Sequence, residues 1–524
     1  MLPPLPGNSI PVRTAAAGGL VVVVALALIG LLPAGPDREA PPVPQSASRY
    51  LRQPDAPFIE VDEAAAAVAL APLPPEEQAF LHTVNPRTFL TPYADSVLID
   101  HPEWICDTPA PADSLYVATD GSDENPGSAD EPLATINEAI GRAQPGQHVL
   151  VRAGTYDGVL ISGRSGEPDA WITLRSYPGE RAVIEPNIGQ DAIAFRRGSS
   201  YINVACFELA GPTLRPEAIP ASPSELRDRR RAGTPASEIP QNYGSGVDIG
   251  DQADTRAGLI SHHVRVIANE IHDFAEMGVS GVGVDHITIA GNVSYRNAKY
   301  SCHAGSGIGL GYQIDQGGPD NADGYRNYIV GNVSYDNENW SLQCFTDNLG
   351  AILTDGNGII VDLNNSTDYT GRTLIADNVV FGNGGRGILV FKSDRVDVVN
   401  NVTYHNALTE GLMGRDRPHP EIAVADADDV RVYNNIAVPQ PGNTAFTESS
   451  SGSDVRANVF DLPGELLFVN PTTDVAASDF NLLPEAEELV AGGIPFLATV
   501  TPDGEARVGT LAPKGTIYNH GLLG

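Results

Sequence analysis

Residues 355–364 read DGNGIIVDLN, residues 373–383 read TLIADNVVFGN, and residues 385–406 read GRGILVFKSDRVDVVNNVTYHN. Three short apolar runs alternate with Asn and Gly punctuation, and then the pattern restarts. Gly358-Ile-Ile-Val returns as Gly387-Ile-Leu-Val. Asp377-Asn378-Val-Val returns as Asn400-Asn401-Val-Thr, with the second Asn of each pair 23 residues from its counterpart. The runs are rich in β-branched residues and carry no helical period. A repeat of this length built from such strands predicts a solenoid, because one coil cannot bury its apolar face alone and must stack on its neighbours. The unit is read as one coil of a parallel β-helix.

Working outward, the same Asn recurs at Asn269, Asn292, Asn332, Asn378, Asn401, Asn435 and Asn458, with steps of 23, 40, 46, 23, 34 and 23 residues. The longer steps hold inserts. A stacked turn Asn can bond the main chain of the next coil, so this column is expected to set the register. Asn292, Asn332 and Asn401 also stand in N-x-S/T sequons, which the ladder already explains.

The whole chain has 524 residues, 54 of them Gly and 42 Pro, with few aromatics, which suits a turn-dense all-β protein. A formal net charge of −34 makes nucleic acid and anionic membrane surfaces poor partners. It fits a high-salt habitat or a calcium-rich surface. Lys is confined to Lys299, Lys392 and Lys514, against 29 Arg. A Lys inside a repeat therefore invites a specific role, since Lys can give up its proton and Arg in effect cannot. The four Cys (Cys106, Cys206, Cys302 and Cys344) show no zinc-ligand spacing. Two readings stay open: disulfides, with Cys302 and Cys344 as one pair, or four buried thiols.

Ala15–Leu32 is an unbroken apolar run followed by PAGPDREAPPVPQ. It reads as an export signal within residues 1–35, either cleaved or kept as a membrane anchor through 15–32. The expected location is secreted, cell-surface or periplasmic, and the expected state is a monomer. Residues 36–112 form a Pro-rich linker and N-terminal extension, and 113–524 the β-helix domain. Residues 211–243 form a long insert carrying Arg227, Arg229, Arg230 and Arg231, read as a solvated loop or as an arm over a groove.

From Ser114 the text changes to SLYVATDGSDENPGSADEPLATINEAIGRAQPGQHVLVRAGTYDGVLISG. A strand at Leu115–Ala118 leads through a loop into an amphipathic helix over Leu133–Ala143, with Ile136, Ala139 and Ile140 on one face. The helix would plug the open end of the first coil. This segment resembles the N-terminal start of secreted right-handed parallel β-helix proteins of the pectate-lyase-like superfamily. The tail, GELLFVNPTTDVAASDFNLLPEAEELVAGG, is similar to the C-terminal end of the same superfamily, so the resemblance runs over roughly 114–520. The fold it implies is an all-β, right-handed parallel β-helix with an N-terminal helical cap.

Aligning the coils on Gly246, Gly278, Gly307, Gly358 and Gly387, with Glu421 in the last place, puts residues one and three beyond the Gly inward by strand alternation. Position four faces out and holds Asp362 and Phe391; position five, at the bend, holds Asp251, Tyr312, Lys392 and Asp426. The preceding turn contributes Glu276, His303, Asp355, Asn357, Arg386 and His419. Together they predict a wall of carboxylates and cations able to work on a polysaccharide, an acidic one on this reading. Uronate β-elimination needs a base for the C5 proton and a cation for the carboxylate. Lys392 is the candidate base and Arg386 the neutraliser, and Asp355 and Asp362 are catalytic candidates that could also hold Ca²⁺. Glu276, His303, Tyr312, Asn357 and His419 are substrate-binding candidates. The arrangement resembles the lysine-plus-calcium design of one pectate lyase family, whose aspartate cluster is not matched residue by residue. Two rival readings are a glycoside hydrolase using paired carboxylates such as Asp355 with Asp362 or Glu276, and a surface β-helix that binds glycan without turning it over.

Overall fold

The structure, a computed structural model, describes residues 104–107 and most of 109–483. Its main breaks fall at 213–219, 234–243, 317–324, 341–353 and 413–417, and two short strands follow at Ala498–Val500 and Ala506–Val508. The apolar run 15–32, the 36–103 extension, Cys302, Cys344 and most of the loops 313–326, 340–354 and 409–420 lie outside the described residues.

The described chain winds as a right-handed parallel β-helix with three long sheets. Sheet 1 has eleven strands, from Leu115–Val117 to Gly452–Arg456; sheet 2 has nine, from Gly154–Tyr156 to Ile436–Val438; sheet 3 has nine, from Val159–Ser162 to Thr444–Glu448. Each coil contributes one strand to each sheet in turn, as in Arg372–Ala376, Val379–Phe381 and Ile388–Phe391. Every neighbouring pair in these sheets is parallel, and the sheet 3 register runs Val247–Val279–Ile308–Ile359–Ile388–Ile422. That is the alignment drawn from the Gly column. Its inward residues, including Ile359, Val361, Ile388 and Val390, are buried in one axial core. Gly281 is the inward position without a side chain; a Cβ there would lie 2.5 Å from Leu310 Cδ2, so Leu310 already fills its place.

The Asn ladder forms as expected. In each step the Oδ1 of one Asn accepts from both the main-chain N and the Nδ2 of its predecessor, from Asn269 on Asn292 through to Asn435 on Asn458. The residue before each ladder Asn has positive φ, for example Asp377 at 55° and Asn400 at 57°. That left-handed bend admits Gly, Asn and Asp most readily, which explains the DN, NN and GN pairs.

A second ladder was not read from the sequence. Asn297, Asn337, Asn383 and Asn406, in the turn between sheets 2 and 3, bond one to the next through main-chain N to Oδ1, and from Asn337 onward through Nδ2 as well. These side chains explain the Gly column: a Cβ on Gly307 would meet Asn337 Nδ2 at 2.5 Å and Ser334 Oγ at 2.6 Å. At the last coil Glu421 replaces Gly, and its carboxylate accepts from Asn406 N and Nδ2.

The ends are closed differently. The cap helix α1 spans Ile136–Arg142, shorter than the expected 133–143, because the Thr135 hydroxyl caps it by accepting from Glu138 N, while Leu133 bridges to Val117. Ile136, Ala139 and Ile140 are buried on the axial core, as the helix period predicts. At the other end Phe468–Asn470 and Asp479–Leu482 pair antiparallel. Phe480 sits 5.0 Å from Phe381 and closes an aromatic column of Tyr295, Tyr335 and Phe381 on the outer side of sheet 2. Cys106 and Cys206 form a disulfide with Cα atoms 5.7 Å apart, which excludes the thiol reading for that pair. It ties the Trp104–Asp107 turn of helix to the sheet 1 bend.

Candidate functional site

The outer face of sheet 3 gathers the predicted residues because strand alternation leaves nowhere else for them. Coils stack at about 4.8 Å, so residues in one column are neighbours although 29 to 51 positions apart. Arg386 and Lys392 flank the strand Ile388–Phe391, and Asp355 and Asp362 flank the adjacent strand Ile359–Asp362.

Asp355, Asn357 and Arg386 form one group. Asn357 is fully buried; its Nδ2 donates to Asp355 Oδ1 at 3.0 Å and to Ser306 Oγ at 3.1 Å, and its Oδ1 accepts from Arg386 N at 2.9 Å. Such a residue cannot touch a polymer, so its place in this site is to position Asp355 and the Arg386 main chain; that corrects the substrate-binding expectation. Burial pushes the Asp355 carboxyl up in pKa, against hydrogen bonds from Thr354 and Asn357 and the nearby Arg386 charge. His419 is half-buried on the next coil; burial and the Arg386 charge hold its pKa below the ordinary histidine value.

Asp362, Tyr312 and Lys392 form the other edge. Asp362 is 6% exposed, and its Oδ1 has no hydrogen-bond partner. Burial drives its carboxyl well above the usual range, the Asp355 charge adds to this and Lys392 opposes it. Tyr312 N donates to the Asp362 carbonyl at 3.0 Å, and burial with the Asp362 charge raises the phenol pKa. Lys392 is half-buried, with Nζ 5.1 Å from the Phe391 ring centroid. Its main-chain N donates to Ala425 O at 2.8 Å, which places it beside Asp426. Among the described residues its ammonium has no ion-pair partner, so the salt bridge to Asp394 or Asp426 that its surroundings allow does not form.

Glu276 and His303 lie further along the wall. His303 Nδ1 is 3.1 Å from Glu276 Oε1, and Ser301 Oγ donates to Glu276 Oε2. They are two or more coils from Lys392, so these candidates share the face but not the Lys392 cluster. Between the two edges the outward column reads Ser280, Gly309, Ile360, Leu389 and Ala423. Ile360, Leu389 and Ala423 pack with Met277 and the half-buried Phe391 into an apolar floor.

One cluster on this face was missed. Arg196 Nη2 contacts Asp191 Oδ2 at 3.3 Å and Asp248 Oδ2 at 2.5 Å, and its Nε lies 3.4 Å from Asp251. Burial and the neighbouring Asp248 charge push Asp191 up to about 7. Asp248 stands two residues beyond Gly246, an outward position that an alignment on positions four and five passes over. The insert helix α2, Pro223–Arg231, also borders this region: Leu226 is buried against Ala275 and Tyr300. Its helix is therefore packed on the coil rather than solvated all round.

Calcium takes six to eight oxygen ligands. Among the described residues no group of three or more His, Cys, Asp or Glu side chains is placed to hold a metal ion. Asp355 is engaged by Asn357 and faces Arg386, and Asp362 faces Lys392. These two carboxylates with their cationic neighbours do not by themselves fit a calcium ion.

Residues 119–161, the first coil with its cap helix, match a family model described as "Protein of unknown function (DUF1565)". The chain is 40% identical over 72 residues to "Uncharacterized protein YwoF" of Bacillus subtilis (strain 168), which is 14% of this chain and 15% of that protein. It is 38% identical over 77 residues to pectate lyase PEL9 of Emericella nidulans, 14% of this chain and 18% of that protein. The matches thus span less than a fifth of either relative. Among solved structures, pectate lyase Pel9A aligns over 78% of this chain and 98% of its own with 18% identity and a TM-score of 0.48. A rhamnogalacturonan lyase aligns over 72% and 98% with 15% identity and a TM-score of 0.40. The resemblance of the N-terminal start to the pectate-lyase-like superfamily is borne out by the family-model match over 119–161, the PEL9 segment and the three-sheet solenoid.

Proposed function

We propose that this chain is an exported, polysaccharide-active β-helix that cleaves a uronate-containing glycan by β-elimination on the outer face of sheet 3. The observation that carries this reading is Lys392: one of three lysines in the chain, it stands at the bend of that face, without an ion pair among the described residues, on the same coil as Arg386. In its unprotonated form the Lys392 amine takes the C5 proton of the uronate. The electron pair left at C5 forms the C4–C5 double bond as the C4–O bond breaks, and the leaving oxygen takes a proton from solvent. The Arg386 guanidinium, its main chain fixed by Asn357, sits on the same coil and neutralises the uronate carboxylate, whose negative charge grows as C5 is deprotonated. The 77-residue match to a pectate lyase, PEL9, supports a polysaccharide lyase reading.

The rival hydrolase reading would use Asp355 and Asp362 as its paired carboxylates; burial raises both, and the Asp355 charge raises Asp362 further. The test is the ultraviolet absorbance of the unsaturated uronyl end on a panel of uronate polymers, with added calcium and with a chelator. Lys392→Ala should lower kcat by about 10²- to 10⁴-fold with an unchanged melting temperature. A fully active variant removes Lys392 from the mechanism, and new reducing ends without the chromophore move the assignment to hydrolysis. Loss of activity with chelator would add calcium, held by residues beyond Asp355 and Asp362.

A further inference from the structure

Three hydrogen-bond donors without acceptors meet in the turn between sheets 2 and 3. Lys299, one of the chain's three lysines, holds its Nζ 3.7 Å from the centroid of the Trp340 ring and has no ion pair among the described residues. Tyr300 stands edge-on to the same ring at 6.4 Å, and its hydroxyl makes no hydrogen bond among the described residues. The Trp340 Nε1 is buried without a partner. Orphaned donors are uncommon in a folded interior, and three on one turn call for an acceptor. The acids nearby are engaged elsewhere. Glu338 Oε1 accepts from Thr409 Oγ1, and Asp273 is held by Arg296 and His272. These two and Asp336 favour the Lys299 charge from a distance, but burial outweighs them and lowers its pKa. A ring face compensates a desolvated ammonium less well than a bonded carboxylate does.

The insert docks on this turn. Leu226 of α2 is buried with Ala275 and Tyr300, and Trp340 packs against them. The helix carries Arg227, Arg229, Arg230 and Arg231 against Glu225 and Asp228, so a net basic segment of an acidic chain is seated beside the three donors. Arg229 is bonded to Glu225 and still lies near enough to act on the Tyr300 phenol. The turn also borders the outer face of sheet 3. Glu276 follows Ala275, and Lys299 precedes the strand Ile308–Gly311, two coils or about 10 Å along the axis from the strand that Lys392 follows. We propose that Lys299, Tyr300 and Trp340, beside α2, form a subsite that holds an acidic sugar of the polymer away from the bond that is cleaved. The sugar carboxylate accepts from the Lys299 ammonium and its Tyr300 and Trp340 neighbours, which replaces a ring contact with charge-assisted hydrogen bonds. The subsite deepens the reading of this chain as active on a uronate-containing glycan and does not depend on Lys392.

The experiment follows tryptophan emission of the full chain, whose three Trp are Trp104, Trp171 and Trp340. It is titrated with oligogalacturonates and alginate oligosaccharides, with neutral cello-oligosaccharides of the same length, and with sodium acetate at matched ionic strength. The oligouronates should change the emission, the neutral oligomers should not, and Trp340→Phe should remove the change. Lys299→Met should weaken oligouronate binding about tenfold, and Tyr300→Phe, which deletes only the hydroxyl, severalfold. Lys299→Met should raise KM on the long polymer by a similar factor. No response to any oligouronate, an equal response to neutral oligomers, a response that acetate alone reproduces, or unchanged affinity in both Lys299→Met and Tyr300→Phe overturns the subsite; appearance of the unsaturated uronyl chromophore in the same samples would leave β-elimination standing. Oligouronate binding that Lys299→Met weakens, in a chain that yields no chromophore, keeps the subsite and overturns the elimination reading.

Discussion

Replacing Asn378 by Ala at the centre of the first Asn ladder should destabilise the β-helix by about 3–5 kcal/mol. The side chain makes four contacts. Its Oδ1 accepts from Asn332 N at 2.9 Å and Asn332 Nδ2 at 3.0 Å, and its Nδ2 donates to Ile329 O and Asn401 Oδ1, each at 2.9 Å. Truncation leaves the Asn332 main-chain N–H, in a fully buried residue, without a partner, a loss of about 1–3 kcal/mol. Asn401 Oδ1 keeps its bond from Asn378 N, and Asn332 Nδ2 keeps bonds to Ile289 O and Val330 O, so those losses are smaller, about 1 kcal/mol each. Asn458, the half-buried end of the same ladder, has no further Asn to donate to, and its own Nδ2 bonds only Val432 O. Asn458→Ala also leaves a buried main-chain donor, Asn435 N, without a partner, but breaks no onward bond, so it should cost about 2–4 kcal/mol. Urea unfolding followed by circular dichroism, with the disulfide intact, gives both values. A shift below about 1 kcal/mol for the central variant would refute the claim that the ladder's buried main-chain donors hold the coils in register.

Three further perturbations have defined outcomes. Gly307→Ala drives a Cβ to 2.5 Å from Asn337 Nδ2 and should break the second ladder at that coil, lowering the melting temperature more than Gly141→Ala, where a Cβ meets nothing within 4 Å. Cys106→Ser/Cys206→Ser opens a link of sequence separation 100, worth up to about 4–5 kcal/mol on a chain-entropy estimate, and should lower the unfolding midpoint measurably. His272 is buried, which opposes its charge, yet the hydrogen bonds it donates to Asp273 and Glu208 raise its pKa to about 9. Its folded value lies above the free value of 6.5, so its stabilisation is whole below pH 6.5 and is lost as pH rises through about 9. Asp273 and Glu208, each held at about 2 despite burial, work in the opposite sense and lose theirs as pH falls toward 2. The stability difference between wild type and His272→Gln should accordingly shrink between pH 7 and 10; a difference constant across that range removes the imidazolium from the network.

Much of this molecule is decided by local sequence. The repeat of Gly358-Ile-Ile-Val and Asp377-Asn378 determined the solenoid, its strand direction and its core, because inward positions along a strand alternate and must be apolar in every coil. The Asn of the first ladder was legible for the same reason: it follows a left-handed residue whose type is restricted, so the pair stands out at fixed spacing. The helical cap was legible from its period, although its first turn was not, since only the folded first coil draws Leu133 into a bridge with Val117 and leaves Thr135 as the cap. What sequence could not decide depends on neighbours brought together across inserts of unequal length. The second ladder, the docking of Leu226 on Ala275 and Tyr300, and the convergence of Asp191, Asp248 and Asp251 on Arg196 join residues up to 74 positions apart. Asn357 reads as an exposed turn residue until stacking buries it between Asp355 and Arg386. Composition showed an acidic chain with few lysines; only the stacked coils decide that Arg386 and Lys392, flanking one strand, stand beside Asp355 and Asp362 of the adjacent coil, because a side chain's electrostatic neighbours are set by the coil above and below it rather than by the residues on either side.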